Sequence, residues 1–156
     1  KHSIPYQWGS TSFSVNTEDY AGDINTTDIL FHPPAELSGK INMLDSQGEV
    51  MALASLHMGI PQCSNDRGQL SALNDMLQEA KTHWASFNSD TAKEVLVSGD
   101  VSVGMIYDGF SAKARADRAS ITYACASVQV WRRTRTIARF CCMCTKNRAS
   151  IIGVCG

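Results

Sequence analysis

The feature that most constrains this chain is an apolar run that ends in polar side chains, within residues 99–111. A Gly-Asp turn pair comes first, a nearly unbroken apolar run of strand length follows, and the run closes on Tyr107, Asp108 and a glycine. Ligands of open α/β sheets usually bind at the carboxyl ends of strands, because the strand fixes the backbone while the following turn stays open to solvent. Tyr107 and Asp108 are therefore the first candidate contact residues. The alternative is a buried tyrosine followed by an Asp-Gly turn that only reverses the chain.

The overall composition predicts one globular domain. The chain has 156 residues, of which 44% are hydrophobic, enough for one core and too few for two full domains. Its 14 basic and 15 acidic residues leave a net charge of -1, so neither nucleic acid nor an anionic membrane is a predicted partner. No window approaches the roughly 18 uninterrupted apolar residues of a membrane-spanning helix. The amino end has no apolar signal core.

Hydrophobic periodicity predicts an alternation of strands and helices. In the first predicted strand, Phe13 and Val15 alternate with small polar residues, which is typical of a strand with one buried face. The predicted elements are, in chain order, strand 10–16, one helical turn at 28–31, strand 40–44, helix 48–58, helix 66–84, strand 85–88, helix 90–97, the strand that ends at Tyr107, helix 110–116 and strand 121–124. This order is typical of an α/β layer with a mostly parallel sheet and flanking helices.

Two kinds of signal support the predicted helices. Apolar residues recur at three- and four-residue steps in the helix 66–84, and we expect these residues in the core: Leu70, Leu73, Met76, Leu77, Ala80 and Trp84. Ser46 and Glu49 have the S-x-x-E spacing of a helix-capping box, as do Thr91 and Glu94.

The composition changes after Ala124. Residues 125–156 contain no Asp or Glu, several arginines and all but one of the 6 cysteines. The segment shows neither helical nor strand periodicity, and no element is predicted there. We therefore divide the chain into an α/β domain at 1–124 and a basic, Cys-rich tail at 125–156.

No enzymatic, cofactor or metal site is predicted. The chain lacks a phosphate-cradling glycine motif of either common type. The histidines have no metal or catalytic spacing, and the last two are expected on helix surfaces: His2, His32, His57 and His83. The crowded tail cysteines lack a partner pair for zinc and fit incidental thiols, or disulfides if the chain is exported. The Arg-rich segment around Trp131 is not seated on a nucleic-acid-binding motif.

The remaining pattern suits an organic cation. Carboxylates pair with ammonium groups, and aromatic faces attract them through the ring quadrupole. Such residues follow the predicted strands or lie near the amino end: Asp45, Glu49, Tyr107, Asp108, Tyr6 and Trp8. Helix capping alone would also explain Glu49 and Asp45, and the two amino-terminal aromatics could be packing residues.

Four motifs, in order, resemble the second lobe of the periplasmic spermidine/putrescine-binding proteins, the solute receptors of polyamine ABC importers. They read PYQWG at 5–9, DSQGEV at 45–50, SFNSD at 86–90 and GDVSVGMIYDG at 99–109. The resemblance covers roughly residues 4–124. It implies a non-enzymatic periplasmic receptor with a type II periplasmic-binding-protein fold, in which two α/β lobes close over the polyamine and an ABC permease receives it.

The resemblance also implies roles for individual residues. Glu49 matches the residue that binds an amine of the ligand. Tyr107 matches a position where the family usually has a Trp that packs on the polyamine chain. Asp45 and Asp108 are adjacent to these positions and are secondary candidates for ligand contact. Tyr6 and Trp8 fall in a segment that resembles the crossing from the hinge into the second lobe.

The chain departs from the family in two respects. The resemblance covers the second lobe alone, so only half of the binding cleft is expected in this sequence. The tail stands where the family has its next turn, strand and helices, so the α/β lobe is expected to be incomplete at its C-terminus. We hypothesise that the tail is a frame-shifted reading; coding DNA shifted by one nucleotide near the Tyr123 codon should then restore family-like sequence. The leading hypothesis is a truncated or relic polyamine-binding lobe with weak or no binding. The alternative is an oligomerising interaction module, in which a second copy covers an exposed sheet edge.

Overall fold

The computed structural model describes residues 9–61, 64–124 and 129–131, the last of these as backbone only. The strands are β1 (Gly9–Asn16), β2 (Ile41–Met43), β3 (Trp84–Phe87), β4 (Val103–Tyr107), β5 (Ile121–Tyr123) and β6 (Gln129–Trp131). The α-helices are α1 (Asp28–Phe31), α2 (Gln47–His57), α3 (Arg67–Lys81), α4 (Ala92–Ser98) and α5 (Asp108–Asp117), and a 3-10 turn covers Ala35–Leu37. Within these residues no helix has the length and apolarity needed to cross a membrane.

The strands form one sheet in the order β3-β2-β4-β1-β5, with β6 also paired to β1. The pairings β2-β3 and β2-β4 are parallel, whereas β1 is antiparallel to β4, β5 and β6. Every other described strand therefore points the same way, and β1 alone is reversed. This confirms the predicted α/β lobe with flanking helices. The reversal of β1 could not be predicted, because alternation of side chains does not specify strand direction.

Strand β1 is buried on both faces, which corrects the expectation of a single buried face. Phe13 and Val15 are fully buried, and so are the serines between them, Ser12 and Ser14. Hydrogen bonds make this possible. The Ser12 hydroxyl donates to the Ala124 carbonyl at 3.0 Å, and the Ser14 and Ser111 hydroxyls are 2.7 Å apart. Small polar side chains can occupy a core when each finds a partner.

Helix α3 packs beside α1 and α2 and buries much of the face that its periodicity predicts, with two corrections. Leu73, Met76 and Ala80 are buried, and Leu77 is partly buried against the same core. Trp84, which was predicted at the end of this helix, is the first residue of β3 instead and is partly buried there. Leu70 is 40% exposed, so its assignment to the core was wrong. It lies in the first turns of the helix and lines a shallow groove with α2 instead. Asp66 caps this helix by accepting from the Gln69 N–H at 2.9 Å.

The predicted capping boxes do not form. Neither Ser46 nor Thr91 makes a side-chain capping bond to its helix. At α4 the Asn88 side chain accepts from the Thr91 N–H instead, at 3.0 Å. At α2 the Glu49 side chain turns into the protein and is buried. The S-x-x-E spacing of Ser46 and Glu49 therefore does not produce a capping box here.

Two further expectations change. His57 is not a surface residue: its side chain is 14% exposed and its ring centroid lies 4.9 Å from that of Phe31. Strand β6 falls in a segment for which no element was predicted, and pairs with the start of β1. Residues 125–128 and 132–156 are outside the described residues, so the division into domain and tail stays a prediction.

Candidate functional site

The pairing of β1 with β4 sets the geometry of the site. Thr11 lies opposite Tyr107 in this register, so the beginning of the reversed strand meets the carboxyl end of β4. Strand β2 pairs in parallel with β4 on its other side and leads into α2, whose first turn carries Glu49. The register therefore brings Glu49, Tyr107 and Thr11 together at the carboxyl ends of β2 and β4. Ligands of open α/β sheets bind at this end of the strands.

Glu49 is the buried carboxylate of this group. Its side chain is hydrogen-bonded by Tyr107 and Thr11, and the residue is only 9% exposed. Its Oε2 atom is buried with no hydrogen-bond partner among the described residues. A buried carboxylate oxygen without a donor is costly, because it has lost water and gained nothing in return. The group is therefore suited to a donor or cation supplied from outside.

The environment shifts the pKa of both ionisable members. Burial raises the pKa of Glu49 above its usual 4.5, and the hydrogen bonds from Tyr107 and Thr11 partly offset this by favouring the carboxylate. Burial also raises the pKa of Tyr107, and the charge of Glu49 acts in the same direction. The phenol consequently stays protonated at neutral pH. It can hold the carboxylate as a donor while its ring, which is half-buried, lines the site.

The Asp108 carboxylate, in contrast to that of Glu49, accepts hydrogen bonds from neighbouring groups of the protein through both oxygens. Its Oδ2 accepts from the Ser10 N–H and from the Ser10 hydroxyl, both at 3.0 Å, and its Oδ1 accepts from the Gly109 N–H at 2.7 Å. The Tyr123 hydroxyl lies 3.2 Å from the Ser10 hydroxyl and extends the network to β5. The carboxylate thus joins the start of β1 to the start of α5. Its hydrogen-bonding capacity is largely used inside the protein.

This network predicts a stability effect. Asp108→Ala should lower the free energy of unfolding by about 1–3 kcal/mol, because it leaves the part-buried Ser10 groups without their charged acceptor. Asp45→Ala is the matched control and should change stability by less than about 0.5 kcal/mol, since Asp45 is exposed. Urea denaturation of both variants measures the difference. Equal losses would contradict the assigned role.

Asp45, Tyr6 and Trp8 do not join this group in the described structure. Asp45 is exposed, its N–H donates to the Ser89 hydroxyl at 2.8 Å, and it lines a separate groove of about 290 Å³ beside Trp84 and Phe87. Tyr6 and Trp8 lie outside the described residues. Their contact with a ligand stays a prediction.

Thr11 is the site residue that sequence reasoning missed. It is 2% exposed and interacts with Glu49 through its side chain. The only signal in the sequence is its place in a strand rich in small polar residues. Without the register of β1 against β4, nothing distinguishes it from the neighbouring serines.

The sequence of this chain is similar to those of known periplasmic binding proteins. No protein-family model matches the chain. The spermidine/putrescine-binding periplasmic protein of Escherichia coli K12 is 30% identical over 115 residues, which is 73% of this chain and 32% of that protein. The spermidine/putrescine-binding periplasmic protein 1 of Haemophilus influenzae is 28% identical over 121 residues, 78% of this chain and 33% of that protein. The chain thus spans about a third of the length of these relatives.

Solved structures agree on the fold. A putative spermidine/putrescine ABC transporter protein from Listeria monocytogenes superposes with a TM-score of 0.74 at 24% identity, covering 84% of this chain and 41% of that one. The spermidine/putrescine ABC transporter substrate-binding protein of Streptococcus pneumoniae gives a TM-score of 0.74 at 22% identity, covering 82% and 40%. The similarity corresponds to one lobe of such a binding protein.

Proposed function

We propose that this chain, a relative of the spermidine/putrescine-binding periplasmic proteins over about a third of their length, binds a polyamine for ABC-type import. Glu49 pairs with an ammonium group of the ligand, and the ring of Tyr107 packs on its methylene chain. Asp45, Asp108, Tyr6 and Trp8 are secondary contacts in this proposal. The site is non-enzymatic, and the function belongs to the periplasm together with an ABC permease, as the names of the relatives suggest.

The observation that carries this proposal is the buried, unpaired Oε2 of Glu49. A polyamine is protonated at neutral pH, because its amines have pKa values near that of lysine, about 10.4. An ammonium placed against Oε2 would supply the missing donor and compensate the buried charge in one contact. Thr11 and Tyr107 hold the carboxylate in place beforehand, so little side-chain entropy is lost on binding.

We propose that the described lobe alone binds weakly. Its site lies at the carboxyl ends of β2 and β4 and has no second lobe facing it in the described structure, whereas tight ligand sites bury most of the ligand surface. A facing lobe would exclude water and strengthen the contact between Glu49 and the ammonium.

Calorimetry tests the proposal directly. Titration of the chain with spermidine and with putrescine at neutral pH should give heat that saturates in the millimolar range or below. N-acetylated putrescine, which lacks one charge, should bind more weakly because it offers one ammonium fewer. If millimolar spermidine gives no heat, the proposal that this chain binds a polyamine is wrong, and only its sequence similarity to the binding proteins remains.

The raised pKa of Glu49 makes binding depend on pH. An ammonium favours the ionised carboxylate, so affinity should be full above the pKa of Glu49 in the free protein and should fall as pH drops through it. Below that pKa the dissociation constant should rise by about tenfold per pH unit, since one proton competes with the ligand. Titrations at intervals from pH 7.5 to pH 4 check this. A dissociation constant that stays flat over this range would contradict the role of Glu49.

The oligomerising module remains the second candidate because one edge of the sheet is open. Strand β3 is an outer strand in the described sheet, and its last residue, Phe87, is 46% exposed. A second copy pairing there would cover both the strand edge and the aromatic ring. Light scattering decides between the outcomes: a dimer that Phe87→Ser disrupts supports this candidate, and a strict monomer at high concentration rejects it.

A further inference from the structure

A second group of chemically active side chains lies beside α1. Asp28 begins this helix, His32 follows its last residue, and His57 ends α2. One ligand atom of each, a carboxylate oxygen or an imidazole nitrogen, lies within 4.8 Å of the other two. His57 is about two helical turns, or about 12 Å, along α2 from Glu49. The group is therefore separate from the polyamine site.

His57 is held in one orientation. Its Nδ1 is 2.7 Å from the Thr27 hydroxyl, and its ring packs on Phe31. When the Nδ1–H donates to Thr27, the lone pair is on Nε2, which faces the Asp28 Oδ1 at 4.0 Å. A neutral ring fixed by a hydrogen bond at its other nitrogen is the usual arrangement of a metal-binding histidine.

Asp28 is oriented in the same manner. Its Oδ2 accepts from the Thr26 hydroxyl at 2.7 Å. The remaining oxygen, Oδ1, lies 4.0 Å from the His32 Nδ1 and 4.0 Å from the His57 Nε2. The carboxylate oxygen is therefore equally distant from the two imidazole nitrogens. A cation among the three groups would attract the carboxylate oxygen and both imidazole nitrogens.

We propose that Asp28, His32 and His57 form a binding site for Zn²⁺. Two nitrogens and one oxygen suit zinc and related borderline metals, whereas Ca²⁺ and Mg²⁺ prefer oxygen ligands. Bonds of about 2.0–2.2 Å in a tetrahedron place ligand atoms roughly 3.3 Å apart, so the group must contract by about 1 Å. Asp28 and His32 are 62% and 52% exposed and can make this adjustment, while His57 stays fixed. Solvent supplies the fourth ligand.

Nuclear magnetic resonance of the histidine rings tests this site in the full chain. Addition of Zn²⁺ at pH 7.5 should shift the ring nitrogen signals of His32 and His57 in a saturable manner and leave those of His83 unchanged. The His83 Nδ1 is hydrogen-bonded to the Ser38 hydroxyl at 2.9 Å, and His83 is not a member of the group, so it serves as an internal control. Reading the rings directly separates this site from the 6 cysteines, because zinc bound by thiolates does not move these signals.

The variants sharpen the test. Asp28→Asn and His32→Gln should each weaken Zn²⁺ binding, read at His57, by at least about tenfold. Both positions are exposed, and circular dichroism verifies that the variants fold. His83→Gln should bind as the unmodified chain does. The proposal is overturned if zinc leaves the His32 and His57 signals in place, or if Asp28→Asn and His32→Gln bind as tightly as His83→Gln.

Discussion

Glu49→Gln should abolish detectable spermidine binding while leaving the fold intact. The substitution keeps the size of the side chain and removes the charge that an ammonium would meet at the buried Oε2. Removing one partner of a buried, hydrogen-bonded charge pair costs about 2–5 kcal/mol, which corresponds to a loss of about 30-fold or more in affinity. For a lobe that binds weakly, such a loss takes the heat of titration below detection. The measurement is calorimetry at pH 7.5.

A control variant separates local from general electrostatics. Glu79→Gln removes the same charge from the exposed face of α3 and should change affinity by less than about twofold at physiological ionic strength. Thermal unfolding of Glu49→Gln should occur at the same temperature as in the unmodified chain or higher, because the buried charge is gone. Spermidine binding that survives in Glu49→Gln would disprove the proposed site. A large fall in melting temperature would show instead that Glu49 has a structural role.

The second large effect concerns the contact between β4 and α4. A Cβ atom built on Gly104 would lie 2.7 Å from the Leu96 Cδ1, and Leu96 is fully buried. Gly104→Ala should therefore cost about 1–3 kcal/mol of stability by overpacking. Leu96→Ala should cost about 2–5 kcal/mol by leaving a cavity. Denaturation in urea measures both.

The double variant tests whether Leu96 limits the space for a side chain at position 104. With Leu96 reduced to alanine, the new methyl at Gly104→Ala has room, so the combined loss should be smaller than the sum of the single losses. Gly48→Ala is the matched control, because its Cβ meets no atom within 4 Å, and it should be neutral or slightly stabilising. Fully additive losses would show that Leu96 does not limit the side chain at Gly104.

The elements of this fold were largely predictable, whereas their caps were not. Strong periodicity located α3, and short apolar runs bounded by turn residues located β2 and β4. The failures have a common cause. Leu70 and the two supposed capping boxes follow a local pattern, but burial and packing decide where those side chains point.

Only part of the candidate site was predictable, because the rest depends on packing between distant parts of the chain. Resemblance to a known lobe indicated Glu49 and Tyr107, and the structure brings both together. Thr11 and the group Asp28, His32 and His57 depend on contacts between distant parts of the chain. No spacing along the sequence reveals that the end of α2 meets the end of α1. Such sites require the packed structure.

The reversed strand β1 has a consequence for the order in which the sheet assembles. Strand β1 is the first described element, yet its hydrogen-bonded neighbours are β4, β5 and β6, and the bond from Ser10 to Asp108 spans 98 residues. Chains dominated by such long-range pairings fold slowly. We therefore expect β1 to complete its hydrogen bonds only after β4 and β5 have been synthesised. We expect the serines of β1 to lower its tendency to associate with other chains before those neighbours are made.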